Sequence, residues 1–264
     1  MKNHALLLAA GRGQRMRPLT DTCPKPLLSV HGKPLMQWAM ESLAVGGFTR
    51  QVVNTEWLGE QISDHFGHNP ASSGDSSLSN LNSVQIDYSR EGADFGYALE
   101  TAGGISRALP LLDDVFWVAA GDVFAPGFPF TQAALQRFAA SGMLAHLWLV
   151  PNPAHNPGGD FALGKPLPGD DPGVFRALNQ PAQAGEPHHT FSTIALYRRA
   201  LFEPPWCAIP PGNPQGVAAP LAPLLRAAID AGRVSASLYT GAWTDVGTPE
   251  RLAELNARAE SDTI

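Results

Sequence analysis

The chain has 264 residues, 44% of them hydrophobic and 16% charged, with a net charge of −6. That length suits one α/β core that folds without disulfides, and Cys23 and Cys207 stand too isolated for a disulfide framework or structural zinc. The acidic balance, with its cations gathered at one loop, excludes broad binding to nucleic acid or anionic membrane; no stretch is long enough for a membrane span, and a reducing, cytoplasmic compartment is expected.

In chain order, a six-residue apolar run at 5–10 superficially resembles a signal peptide, but it ends in Gly-Arg-Gly and reads as the first buried strand, over 5–9. The loop that follows holds Arg12, Arg15, Arg17 and Lys25, with no acidic residue before Asp21. Gly11 and Gly13 are expected to turn with φ > 0 so that successive N–H groups face phosphate oxygens, while Arg15 and Lys25 add charge. Gln14 and Arg15 stand where a P-loop needs Lys-Ser/Thr, and Met16 stands where a dinucleotide fingerprint needs a small residue. A basic surface loop would account for the two glycines, but not for clustered cations beside Pro24 and Pro26.

Further strands are predicted at 51–54, 84–88, 115–119 and 144–150, alternating with helices at 35–45, 58–66, 101–109 and 132–140. This is the pattern of a Rossmann-like, doubly wound, mixed but mainly parallel α/β sheet, whose ligands bind at the carboxyl ends of the strands, so Ala9, Asn54 and Ala119 should lead into the site. Residues 69–83, rich in Ser, Asn and Gly, read as a mobile loop outside the chemistry. Beyond 150 the chain is less regular: Pro/Gly-rich stretches at 151–173 and 204–223 flank a strand at 189–197, with helices at 221–231 and 249–260. A single domain over 1–264 is expected, with residues 1–150 facing nucleotide and 151–264 forming a sugar-facing wall.

Two aspartates from distant segments follow the same logic. Asp122 ends the apolar run 115–120 in Gly121-Asp122, and Asp245 sits in Trp243-Thr244-Asp245-Val246-Gly247-Thr248-Pro249 just before a helix. Each alone is equally well a turn residue or a helix cap; as a pair they suit Mg²⁺, which takes one or two carboxylates plus phosphate and water. Gly103-Gly104, in a helical stretch, costs about 1 kcal/mol per glycine relative to alanine, so a close contact must favour them: a ligand, or tight packing of helix on sheet. His188 and His189 point to opposite faces of an extended segment and do not make a metal site.

The pattern Gly-x-Gly-x-Arg-Met-x-Pro-Leu-Thr with Pro-Lys-Pro, the Gly-Asp pair and Trp-x-Asp-x-Gly-Thr together resemble the sugar-1-phosphate nucleotidyltransferases over nearly the whole chain. The resemblance implies Arg15 and Lys25 as catalytic cations and Asp122 and Asp245 as ligands of a catalytic Mg²⁺. It implies a nucleotide site of Leu8, Ala9, Ala10, Gly11, Gly13, Asn54, Glu91, Thr101, Ala102, Gly103 and Gly121. A sugar site of Glu100, Asn152, Asp160 and Ser192 follows in the same way. The implied substrates are UTP or another nucleoside triphosphate and a sugar 1-phosphate, with N-acetylmuramic acid 1-phosphate preferred over mannose or glucose 1-phosphate. A catalytically silent sugar-nucleotide-binding domain on the same fold is the alternative of another class. A monomer that binds no nucleic acid is expected. Three departures stand out: Ala120 where relatives often have Asn, Thr193 in Phe191-Ser192-Thr193-Ile194 where Gly is usual, and Gln180 where a phosphate-gripping lysine is common, so that either Arg176 or Lys165 substitutes or Arg15 and Lys25 bear more of the charge.

Overall fold

The computed structural model describes residues 3–168, 173–180 and 187–258. The elements are β1 (His4–Ala9), β2 (Ser29–Val30), β3 (Lys33–Pro34), α1 (Leu35–Val45), β4 (Arg50–Thr55), α2 (Gly59–Phe66), β5 (Gln85–Arg90), α3 (Glu91–Phe95) and α4 (Glu100–Ala108). They continue with β6 (Val115–Ala120), β7 (Val123–Phe124), α5 (Gln132–Ala140), β8 (Ala145–Val150), β9 (Phe161–Pro166), β10 (Phe175–Leu178), β11 (His188–Arg198), α6 (Leu221–Asp230), β12 (Val234–Leu238), β13 (Thr244–Asp245) and α7 (Pro249–Ala257).

Nine strands form one sheet in the order β5-β4-β1-β6-β11-β8-β12-β10-β9. The β5, β4, β1 and β6 block is parallel, β11 runs against β6 and β8, and β12 is again parallel to β8. The central strands read as unbroken apolar runs because both their faces are covered. Alternate residues then go to opposite cores. Leu7, Val53 and Trp117 pack with Met36 and Met40 of α1 on one side, while Leu6, Val52 and Phe116 pack with Ile105 of α4 and Leu225 of α6 on the other. A smaller cluster, including Met16, Trp38, Phe124, Val246 and Leu255, ties the first loop to α7.

The chain leaves β1 toward β4 and β5 and later returns to β1's other side as β6, so the strand order reverses at β1. Such a switch point opens a crevice at the carboxyl ends of β1, β4 and β6.

Several sequence expectations need correction. Residues 69–83 form two 3₁₀ turns, Pro70–Ser72 and Ser76–Leu81, whose Leu78 and Leu81 are fully buried, so the segment is packed against the core and not a loose loop. The stretch 151–173 contains β9, and β10 and β12 were also not anticipated; β9 carries a Gly and ends in Pro, and a short antiparallel strand of that composition has no strong periodic signal. The last helix was expected to reach 260, beyond the described residues.

Candidate active site

β1 delivers the chain into the loop at its carboxyl end. There the Ala9 amide donates to Asn54 Oδ1 (2.7 Å) and the Gly121 amide to the Leu8 carbonyl (2.8 Å), which ties β1 to β4 and to the end of β6. Gly13 has φ +65°, and a Cβ there would lie 3.0 Å from Thr20 Cγ2, so glycine is required by both conformation and space. Gly11 does not share this conformation: only Gly13 of the pair has positive φ, and Gly11 instead leaves open space beside the cavity.

The loop cations separate into distinct roles. Arg12 stacks 3.4 Å over the Trp57 ring and donates to the Thr20 carbonyl, which also accepts from Trp57 Nε1, so Arg12 clamps the loop. Arg17 pairs with Asp21. Arg15 is exposed on the turn Gln14–Met16 and does not line the cavity. Lys25 is buried, and its Nζ donates to Asp122 Oδ2 at 2.6 Å.

Glu91 anchors the other side of the crevice. It is fully buried, Oε1 accepts from Asn54 Nδ2 and Oε2 from the Leu99 amide, each at 2.7 Å. Burial pushes its carboxyl up; those two hydrogen bonds oppose the shift, Glu56 adds to it and Arg107 opposes it. One continuous chain of bonds, Ala9 to Asn54 to Glu91 to Leu99, therefore fixes the ends of β1 and β4 and the entry to α4.

This network accounts for the paired glycines. A Cβ on Gly104 would sit 2.5 Å from Glu91 Oε1, and one on Gly103 would sit 2.4 Å from the Val217 carbonyl. Of the two readings left open, packing holds: Ala102 and Gly103 are buried behind the wall, while Glu100 and Thr101 line the cavity.

The two aspartates converge through a short ladder. β7 pairs antiparallel with β13, Asp245 opposite Val123, and the Val246 amide donates to the Asp122 carbonyl at 3.0 Å. Arg251 Nη1 lies 2.6 Å from both carboxylate oxygens of Asp245, and His155 Nε2 lies 2.8 Å from one of them. Thr248, not Asp245, caps α7, accepting from the Arg251 amide. Each carboxylate thus carries a cation: Lys25 on Asp122, and Arg251 on both oxygens of Asp245. Among the described residues no group of three or more His, Cys, Asp or Glu side chains could hold a metal. Asp122, in the turn before β7, and Asp245, on β13, are carboxylates of the type that suits Mg²⁺ where phosphate oxygens and water complete the shell.

The third wall comes from β9, β11 and α6. Asp160 lines the cavity, its Oδ2 accepting from the Phe191 amide at 2.8 Å. Asn152 and Ser192 do not line it: Asn152 bonds the Pro157 and His188 carbonyls, and fully buried Ser192 donates to the Trp148 carbonyl. They brace a break in β11, where the register shifts between Phe191 and Ala195 and Thr193 adopts φ +62° on the cavity wall. Arg176, expected to replace the missing lysine, instead donates to the Gly232 carbonyl, and Arg176, Lys165 and Gln180 all lie off the cavity wall. Arg226 of α6 is the cation that lines this wall, and sequence reasoning missed it. The available signal was helical spacing, since Ala222 and Arg226, one turn apart, flank the buried Leu221 and Leu225.

The cavity, open to solvent on one side, measures about 600 Å³. It brings together Leu8, Ala9, Ala10, Gly11, Lys25, Asn54, Glu91, Glu100, Thr101, Asp122 and Asp160 of the expected site; Gly13, Gly121 and Asp245 stand close behind or beside it but do not line it. Apolar rings and aliphatic chains face the polar loop across this space.

Residues 4–158 match the Nucleotidyl transferase family. The chain is 46% identical over 258 residues, 97% of each chain, to N-acetylmuramate alpha-1-phosphate uridylyltransferase of Neisseria meningitidis serogroup B. It is 36% identical over 110 residues, 42% of this chain and 41% of the relative, to the enzyme of the same name from Caulobacter vibrioides. The fold matches UTP-bound UGPase from Acinetobacter baumannii with a TM-score of 0.72 at 15% identity, covering 97% of this chain and 92% of that one. By sequence and by fold, the chain belongs to the nucleotidyl transferase family.

Proposed function

We propose that the protein transfers a uridylyl group from UTP to N-acetylmuramic acid α-1-phosphate, yielding the UDP-sugar and pyrophosphate. The observation that carries the reading is one cavity in which Lys25 and Asp122 meet beside the loop anchored by Asn54 and Glu91, in a chain alike over its whole length to a uridylyltransferase of that name.

In the reaction an oxygen of the sugar phosphate attacks the α-phosphorus of UTP, and the bond to the β-phosphate oxygen breaks. The attacking oxygen is already anionic, so no general base is needed, and catalysis rests on in-line positioning and neutralisation of charge. Lys25 and the loop backbone near Gly11 hold the triphosphate and stabilise the leaving pyrophosphate. The Asn54–Glu91 network keeps the floor under the nucleoside rigid. Asp122 and Asp245 are the residues that would hold Mg²⁺, which would supply positive charge to neutralise the phosphates. Arg251 and His155 keep Asp245 oriented in the absence of that charge. Arg15, exposed at the loop tip, reaches the phosphates when the loop closes over them.

We place this reaction in the cytoplasmic recycling of peptidoglycan sugars, carried out by a monomer; among the described residues no helix is long and apolar enough to cross a membrane. The test is pyrophosphate release with UTP, GTP, dTTP, CTP and ATP against a panel of sugar 1-phosphates, with Mg²⁺ and with chelator. Turnover confined to UTP and the muramic sugar, abolished by chelation, is expected. A preference for mannose or glucose 1-phosphate replaces the substrate, and nucleotide binding without turnover replaces the enzyme with a binding domain.

A further inference from the structure

The cavity is lined by two cations of unlike circumstance. Lys25, at the loop end, is paired to Asp122. Arg226, on the wall built by β9, β11 and α6, is exposed and has no carboxylate partner among the described residues. The carboxylate one helical turn away, Asp230, accepts from Asn179 Nδ2 at 2.7 Å instead. The guanidinium lies 5.2 Å over the Phe161 ring, and its remaining polar contact is a long 3.4 Å approach to Asn179 Oδ1. Stacking on a ring holds a guanidinium in place while leaving its in-plane donors available. The wall around it is largely apolar, with Phe161, Phe191, Leu221 and Leu225 beside Thr193 and Asp160, and Asp160 Oδ2 is already engaged by the Phe191 amide and Asn156 Nδ2.

Such a wall suits a ligand group that is part aliphatic and ends in an anion. A guanidinium fork matches a planar carboxylate in a two-point contact. We infer that Arg226 is a specificity-determining residue that binds a carboxylate carried by the sugar itself, separate from its phosphate. On the function proposed above, on which this inference rests, that group is the lactyl ether of N-acetylmuramic acid, whose methyl meets the apolar wall and whose carboxylate meets Arg226. The neutral counterpart, N-acetylglucosamine 1-phosphate, lacks only that ether and would leave Arg226 without an ion partner.

The experiment compares kcat/KM for N-acetylmuramic acid 1-phosphate and N-acetylglucosamine 1-phosphate, with UTP, in the wild-type protein, Arg226→Gln and Arg226→Lys. Because Arg226 is exposed, both variants are expected to fold, which thermal melting checks. The ratio of the two values should fall about 10- to 100-fold in Arg226→Gln, carried by KM for the acidic sugar, and partly recover in Arg226→Lys, which keeps the charge and loses the fork. Parallel losses on both sugars, leaving the ratio intact, would mean that Arg226 grips the phosphate common to both, and would overturn the inference while sparing the proposed function. A wild-type preference for the neutral sugar would overturn both.

Discussion

Lys25 and Asp122, 97 residues apart in sequence, meet at 2.6 Å, yet their surroundings are unequal: the lysine side chain is 10% exposed and the aspartate 42%. A carboxylate that well solvated loses little when its partner goes, so the pair contributes on the order of 1 kcal/mol or less to stability. On the function proposed, its value lies in placing a cation where pyrophosphate leaves. Lys25→Met should melt within a few degrees of wild type while kcat/KM falls about 10²- to 10³-fold, as for loss of a charge-stabilising donor in other active sites. A variant that melts far lower would make the pair structural.

Gly104→Ala sets two effects of opposite sign against each other. Alanine gains about 1 kcal/mol of helix propensity over glycine. Its Cβ, however, would come 2.5 Å from Glu91 Oε1 and 2.9 Å from Asn54 Nδ2, both buried in a bonded network that has little freedom to move. Overpacking costs typically about 1–3 kcal/mol, and breaking the Asn54–Glu91 bond adds to that, so destabilisation should win. Chemical unfolding should show a net loss of stability, accompanied by a higher KM for UTP because Asn54 also fixes the Ala9 amide.

The reach of sequence reasoning follows from what each residue does. β1, β4 and β6 were legible because they are buried on both faces, and an unbroken apolar run admits few alternatives. Asp122 and Asn54 were legible because they lie at those strands' carboxyl ends, and Lys25 because it belongs to the cation cluster in the loop after β1. Ser192 was misread because a buried hydroxyl that braces a strand break looks in sequence like one that faces ligand. Gly103 and Gly104 left two readings open, because glycine reports that something is close without saying what; Val217 and Glu91 answer only in three dimensions. Arg226 went unnoticed because its significance lies in what it does not pair with, and pairing is a property of the fold.

Thr193 holds a β-branched side chain at φ +62°, where its Oγ1 donates to the Ser192 carbonyl at 2.6 Å. Left-handed backbone costs an L-residue about 1–2 kcal/mol, and glycine there would return that at an entropic cost of about 0.5–1 kcal/mol. Thr193→Gly should therefore stabilise by up to about 1 kcal/mol, a rise of a few degrees in Tm. The same change widens the cavity wall, so KM for the sugar 1-phosphate should rise while KM for UTP stays near wild type. A lower Tm would show that the hydroxyl bond outweighs the strain.

Glu91 should leave a signature in the pH dependence of stability. Burial raises its carboxyl above the ordinary 4.5, overcoming the Leu99 and Asn54 hydrogen bonds that favour the charged form. In the interval between the ordinary and the raised value the folded protein binds more protons than the unfolded chain, so stability falls as pH rises. The contribution is fully present below 4.5 and lost as pH climbs through the folded-state value. Glu91→Gln removes this titration and also sets an amide donor against one of the two N–H groups that Glu91 accepts from, so it should be the less stable protein throughout. The gap between wild type and variant, measured by urea unfolding from pH 4.5 to 7, should be widest at the acidic end and narrow toward neutrality. A ¹³C titration of the Glu91 carboxyl checks the cause directly. A gap that widens with rising pH would mean that the two hydrogen bonds, and not burial, set the protonation of this carboxylate.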